Sequence, residues 1–139
     1  MIRTLAAFAT IALATFATSA SAQEMNPGLW EITTSMQMQG MQMPAQKFTH
    51  CYTAKDVAAG KQYQGDEKSK CTIANMKTGG GSVSYDMACA FEGGKMTGSV
   101  KGKMSATAYE FDQKMRMTPD QGMGEMHSII KGRRLGDCK

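Results

Sequence analysis

The sequence predicts an all-β protein: an antiparallel meander curled into a small barrel or half-barrel, with one short helix near 53–60. Three observations lead there. Apolar and polar residues alternate with period two along most of the chain, the pattern of strands with one buried and one wet face. Glycine-rich turns separate these runs at short intervals, which makes successive strands antiparallel neighbours. Helical periodicity is nearly absent. One curled sheet buries such faces; a two-layer sandwich does so almost as well, and the sequence leaves the two open.

The elements follow in order. Trp30, Ile32, Met36 and Met38 form an inward stripe that ends at the Gly40 turn, and Phe48, His50 and Tyr52 form a second stripe. Thr53 is placed to cap a short helix, with Asp56 at its third position and Gly60 at its end. Gly79-Gly80-Gly81 marks a hairpin. In the run 82–92, Val83, Tyr85, Met87 and Phe91 oppose Ser82, Ser84, Asp86 and Glu92. Beyond Gly93-Gly94, Met96, Val100 and Met104 form the next inward set. Gly98 and Gly102 fall on the same face, where the sheet bends or something packs close. From Ala108 to Thr118, Tyr109, Phe111, Met115 and Met117 alternate with charged residues, and Pro119-Asp120-Gln121-Gly122 makes a turn. The last strand runs from Met126 to Leu135, with Ile129-Ile130 blurring its inward face.

The first 22 residues read as a secretory signal peptide. Arg3 supplies the positive start, Leu5–Phe16 an apolar run too short for a membrane span, and Ala20-Ser21-Ala22 the cleavage site. Cleavage leaves residues 23–139 as a single domain of 117 residues (139 less 22). No later segment has the character of a transmembrane span. Without Arg3, 15 basic residues stand against 12 acidic ones, a dispersed charge of +3 that calls for no nucleic-acid partner.

Cys51, Cys71, Cys89 and Cys138 are an even set in an exported chain and read as two disulfides, since no C-x-x-C pair suggests zinc. A hairpin centred on Gly80 pairs residues whose numbers sum to 160, as those of Cys71 and Cys89 do. That leaves Cys51 with Cys138. A slip of one residue would put Cys71 and Cys89 on opposite faces.

Several of these features together resemble a known family. Pro27-Gly-Leu-Trp-Glu31, the Met-rich stretch ending at Pro44, Cys51 before a Thr-x-x-Asp turn, and Gly132-Arg-Arg-Leu-Gly-Asp-Cys138 are similar to the bacterial DUF3617 family, of unknown function. The resemblance spans almost the whole mature chain. It implies an exported, periplasmic protein and carries over no catalytic residue.

Thirteen methionines follow residue 22, against only two leucines, Leu29 and Leu135. Met36, Met38, Met87, Met96, Met104, Met115 and Met117 share faces with core residues and read as adaptable filler in place of leucine. A soft-metal reading uses the others: Met41, Met43, Met123 and His127 as ligands for Cu(I). A third reading is a cavity lined by Trp30, Tyr85, Phe91, Tyr109 and Phe111, suited to an apolar guest. A fourth is oxidant absorption by exposed methionines.

No nucleophile elbow, H-E-x-x-H or phosphate loop occurs, and the two histidines, His50 and His127, lack a nucleophile beside them in sequence. The expectation is a non-catalytic binding or accessory module of the cell envelope, without a cofactor. Its partner would be an envelope protein or a small apolar ligand. The alternative is a Cu(I)-binding protein that uses residues 36–43.

Overall fold

The computed structural model describes residues 24–64 and 70–139; the expected signal peptide lies outside the described residues. The elements are β1 (Gly28–Met38), β2 (Met41–Gln42), β3 (Gln46–Tyr52), α1 (Ala54–Ala58), α2 (Lys61–Gln64), β4 (Lys70–Gly79), β5 (Ser82–Phe91), β6 (Gly94–Met104), β7 (Ala108–Thr118) and β8 (Glu125–Gly136). All eight strands join one sheet in the order β2-β1-β8-β7-β6-β5-β4, and β3 also pairs with β1. Every pairing is antiparallel. The sheet is curled but not closed, so of the expected forms the half-barrel is the one adopted. β2 and β3 share one side of β1 while β8 takes the other, leaving β4 and the β2–β3 side as free edges.

Local chemistry accounts for the one helix that the sequence predicts. The Thr53 side chain accepts from the Asp56 backbone N–H (3.1 Å), and the Asp56 carboxylate accepts from the Thr53 backbone N–H (2.9 Å), completing a capping box. The chain then turns at Gly60 with φ +69° and enters α2, which the sequence does not announce. Four residues carry no period, and it is packing that holds them. The Tyr63 ring stands edge-on to Tyr85 at 5.7 Å and tilted against Phe111 at 6.1 Å.

The core fills one end of the half-barrel. Met25, Trp30, Ile32, Tyr52, Val83, Tyr85, Val100, Tyr109 and Phe111 are its buried members. Trp30, Tyr109 and Phe111 stack in series, with centroids 5.5 and 4.8 Å apart. The Trp30 indole N–H donates to the Asn26 carbonyl at 3.1 Å, so this buried donor is satisfied. Gly98 and Gly102 do mark close packing. A Cβ on Gly102 would lie 2.5 Å from the Phe111 ring, and one on Gly98 would lie 2.7 Å from Met115 Cγ. Gly132 does the same for Tyr109, at 2.1 Å. The large side chains of β7 therefore lean over glycines of both neighbouring strands.

Both disulfides are formed, Cys71–Cys89 and Cys51–Cys138. Cys71 and Cys89 are direct cross-strand partners, and so are Ile73 and Met87. The route to that register differs from the one expected. The turn is the two-residue Gly80-Gly81, with Gly79 opposite Ser82. Continued unbroken, it would set Cys71 against Ala90. An irregularity between Ala74 and Lys77, with Asn75 at φ +53°, inserts one residue and restores the cysteine pair. The second disulfide reaches across β1, because Leu29 has Cys51 as its partner on one side and Gly136 on the other.

Candidate functional site

At the end of the sheet away from the aromatic core, the inner face is surfaced with methionine. Met41 is the cross-strand partner of Met38, Met38 of Met126, and Met126 of Met115. Met115 faces Gly98, Gly98 faces Met87, and Met87 faces Ile73. Direct partners share a face, so one transverse row of seven positions carries five methionines. The row is covered at its centre and open at its ends. Met126 and Met115 are buried, Met38 and Met87 half-buried, and Met41 is 64 % exposed.

The opening methionine cluster sits at the β1–β2 corner of this row. A hairpin about Gln39-Gly40 pairs Met38 with Met41, and the Met43 backbone N–H donates to the Met36 carbonyl at 2.8 Å. Alternation then sets Met36, Met38, Met41 and Met43 on one side, with Gln37 and Gln42 on the other. The Gln42 amide also donates to the Met36 carbonyl at 3.3 Å. At the tip, the Gln39 amide donates to the Gly122 carbonyl, tying the hairpin to the 119–124 loop that carries half-buried Met123. Within that loop, Asp120 Oδ1 accepts from the backbone N–H groups of Gly122 (2.9 Å) and Gly124 (3.3 Å).

The residues expected at a site are redistributed by this geometry. Trp30, Tyr85, Tyr109 and Phe111 do not line an open cavity: they are 0–5 % exposed and pack on one another as core. Phe91 is apart from them, 39 % exposed beside the Gly93 turn. Nor are the four expected metal ligands gathered. Met41 and Met43 face inward, whereas His127 lies on the outer face with its Nε2 2.9 Å from Asp112 Oδ1. Alternation decides this, because His127 falls between Met126 and Ser128, both buried on the inner side. His50 is exposed on the β3 edge, edge-on to Tyr52 at 4.4 Å. Phe48 in the same stripe is 51 % exposed, since an edge strand has a neighbour on one side only.

Of the seven methionines read as filler, Met115 is buried and the other six are half-buried. Two more methionines, Met25 and Met126, are buried without a sequence signal that marks them. Met25 plugs the aromatic end from a segment with no alternation. Met126 is masked by a strand whose inner face also carries Ser128 and Gly132. The 2×2 methionine block was within reach, however. A hairpin centred on Gln39-Gly40 joins residues whose numbers sum to 79, 38 with 41 and 36 with 43.

Concavities also lie elsewhere among the described residues. A shallow groove of about 540 Å³ on the polar face is lined by Thr72, Asp86, Thr97, Lys114, Arg116 and Glu125, among others. Its Arg116 is paired with Glu125 at 3.2 Å. A smaller one, about 240 Å³, lies where Val57 and Tyr63 meet Met25, Val83 and Met104.

Compared with protein families, residues 25–138 match DUF3617, described as a protein of unknown function. The chain belongs to the DUF3617 family. No curated protein and no solved structure matches this DUF3617 chain. Its PGLWE opening leads into β1 at Gly28, and its closing Gly132–Cys138 segment ends β8 and enters the disulfide across β1. Among the described residues, no helix is long and apolar enough to cross a membrane.

Proposed function

We propose that this DUF3617 protein is a non-catalytic binding module of the bacterial cell envelope. In this reading it is exported to the periplasm and binds its ligand on the methionine-lined inner face. The observation that carries the proposal is the contrast between the two ends of the half-barrel. The aromatic end is filled by its own side chains, while the methionine row is left partly open at both ends. Unbranched, polarizable thioethers adapt to an irregular apolar surface better than leucine does. A small, lipid-like guest suits such a floor.

Export is supported by the charged, apolar and A-x-A order of the first 22 residues and by the pairing of all four cysteines. The non-catalytic reading is supported by what the titratable groups do. Burial holds Tyr85 and Tyr109 protonated well above the usual phenol range, and Asp112 and His127 engage each other on the wet face.

The test is a titration of the mature protein, labelled with ¹³C at its methionine methyls, with laurate as the apolar probe. Saturable shifts centred on Met38, Met87, Met115 and Met126 are expected. Shifts confined to Met25 and Met104 would move the site to the helix-covered end, and no shift at all would sink the proposal.

A further inference from the structure

On the reading that the inner face at this end is the binding surface, we propose that its β1–β2 corner is a Cu(I) site. The ligands are the thioether sulfurs of Met36, Met38, Met41 and Met43. The set differs from the one the sequence suggests: His127 is on the opposite face and Met123 lies in the 119–124 loop, and Met36 and Met38 take their places beside Met41 and Met43.

Packing does not account for Met41 and Met43 as it does for Met25, Met115 and Met126. Burying a methionine side chain stabilises the fold only where water is in fact removed from it. Met41, on an edge strand of two residues, is 64 % exposed, and Met43, just beyond that strand, is 42 % exposed. Leucine, glutamine or threonine would serve a solvated edge as well. The chain instead places a thioether at every inward position of both arms of this hairpin, from 36 to 43.

The geometry suits one soft ion. Cross-strand partners have Cβ atoms about 4.5–5.5 Å apart, and residues two apart on a strand are about 6.6 Å apart. Four side chains, each with three rotatable bonds, start from the corners of that small rectangle and can meet above its centre. The frame is held at both ends. The Met43 N–H bond to the Met36 carbonyl closes the open side, and the Gln39 amide on the Gly122 carbonyl pins the tip.

The chemistry narrows the ion. Thioethers are soft, neutral donors that favour Cu(I) over hard divalent cations. All four cysteines are committed to disulfides, so thioethers are the sulfur ligands this chain has to offer. A thioether carries no proton at any ordinary pH, so binding here releases none, in contrast to thiol or imidazole sites.

The experiment uses the mature protein, ¹³C-labelled at the methionine methyls and titrated without oxygen with Cu(I) supplied as its acetonitrile complex. The four methyl signals of Met36, Met38, Met41 and Met43 should move together and saturate at one equivalent. Affinity measured against a chromophoric Cu(I) chelator should stay flat between about pH 5.5 and 7.5. Met41→Leu/Met43→Leu, two exposed positions where apolar area is conserved, should abolish one-equivalent binding. Affinity that falls with acid, or binding that persists in the double variant, would overturn the site. So would shifts led by other methionines, an outcome that the wild-type spectrum reports even if a variant fails to fold. Laurate shifts along the row with no response at these four to Cu(I) would reject the metal site alone. No response to either probe would reject the inner-face reading as well.

Discussion

Asn75 and Asp86 are joined across β4 and β5 by a hydrogen bond of 2.7 Å, donated by the Asn75 side-chain amide. Asn75 is also one of two non-glycine residues with positive φ among those described. The bond clamps the extra residue that brings Cys71 opposite Cys89. Deleting Met76 should remove the bulge and leave one unbroken ladder, with Asn75 opposite Tyr85 and Cys71 still opposite Cys89. Mass spectrometry after thiol alkylation should then find both disulfides intact. Free Cys71 and Cys89 in the deletion variant would show that the inserted residue is itself needed to bring the pair together.

Gly132 should tolerate no side chain. A Cβ there meets Tyr109 Cε1 at 2.1 Å, inside the core stack. Gly132→Ala should destabilise the fold by about 1–3 kcal/mol through overpacking. It should also disturb the emission of Trp30, the only tryptophan, which stacks on Tyr109. Denaturant unfolding followed by that emission checks both. An unchanged midpoint would mean that Tyr109 has somewhere else to go.

The Cys51–Cys138 bond closes a loop with a sequence separation of 87. In the chain-entropy account, removing such a link costs about 4–5 kcal/mol. Cys51→Ser/Cys138→Ser should lower the unfolding midpoint, with early hydrogen exchange at β3 and the end of β8 and late exchange at β6 and β7. Uniform loss of protection throughout the sheet would contradict this, since the bond joins only strands beside β1.

Stability should fall at both pH extremes, for opposite reasons. Hydrogen bonds from Thr53 hold the Asp56 carboxyl well below its ordinary 3.8. A lowered acid stabilises the fold above the unfolded value, and the contribution is lost as pH falls through the lower folded one. The gap in stability between wild type and Asp56→Asn should therefore be constant near neutral pH and close below about pH 4.

At the alkaline end, burial raises Tyr52, Tyr63, Tyr85 and Tyr109 above the ordinary 10.0. Their contribution is whole below pH 10 and is lost as pH rises through the folded values. Phenolate absorbance should thus appear together with loss of the circular dichroism signal. Phenolate at pH 10 in a folded protein would refute the burial.

The sequence alone determined the strands, because period-two alternation states which face of each strand is buried without reference to any other strand. Ala108–Thr118 and its neighbours were legible for that reason, and so was the Thr53–Asp56 cap, which involves two residues three apart. Pairings across a short turn were legible too, as with Cys71 and Cys89, although a compensating bulge was hidden in that sum. Tertiary structure alone decided three further things. It joined β1 to β8, left the sheet open, and sorted one methionine from another. Met126 and Met41 have the same side chain and flank Met38 in one row, yet one is 6 % exposed and the other 64 %. Burial is a property of what lies on both sides of a strand, and a strand's own sequence does not name its second neighbour.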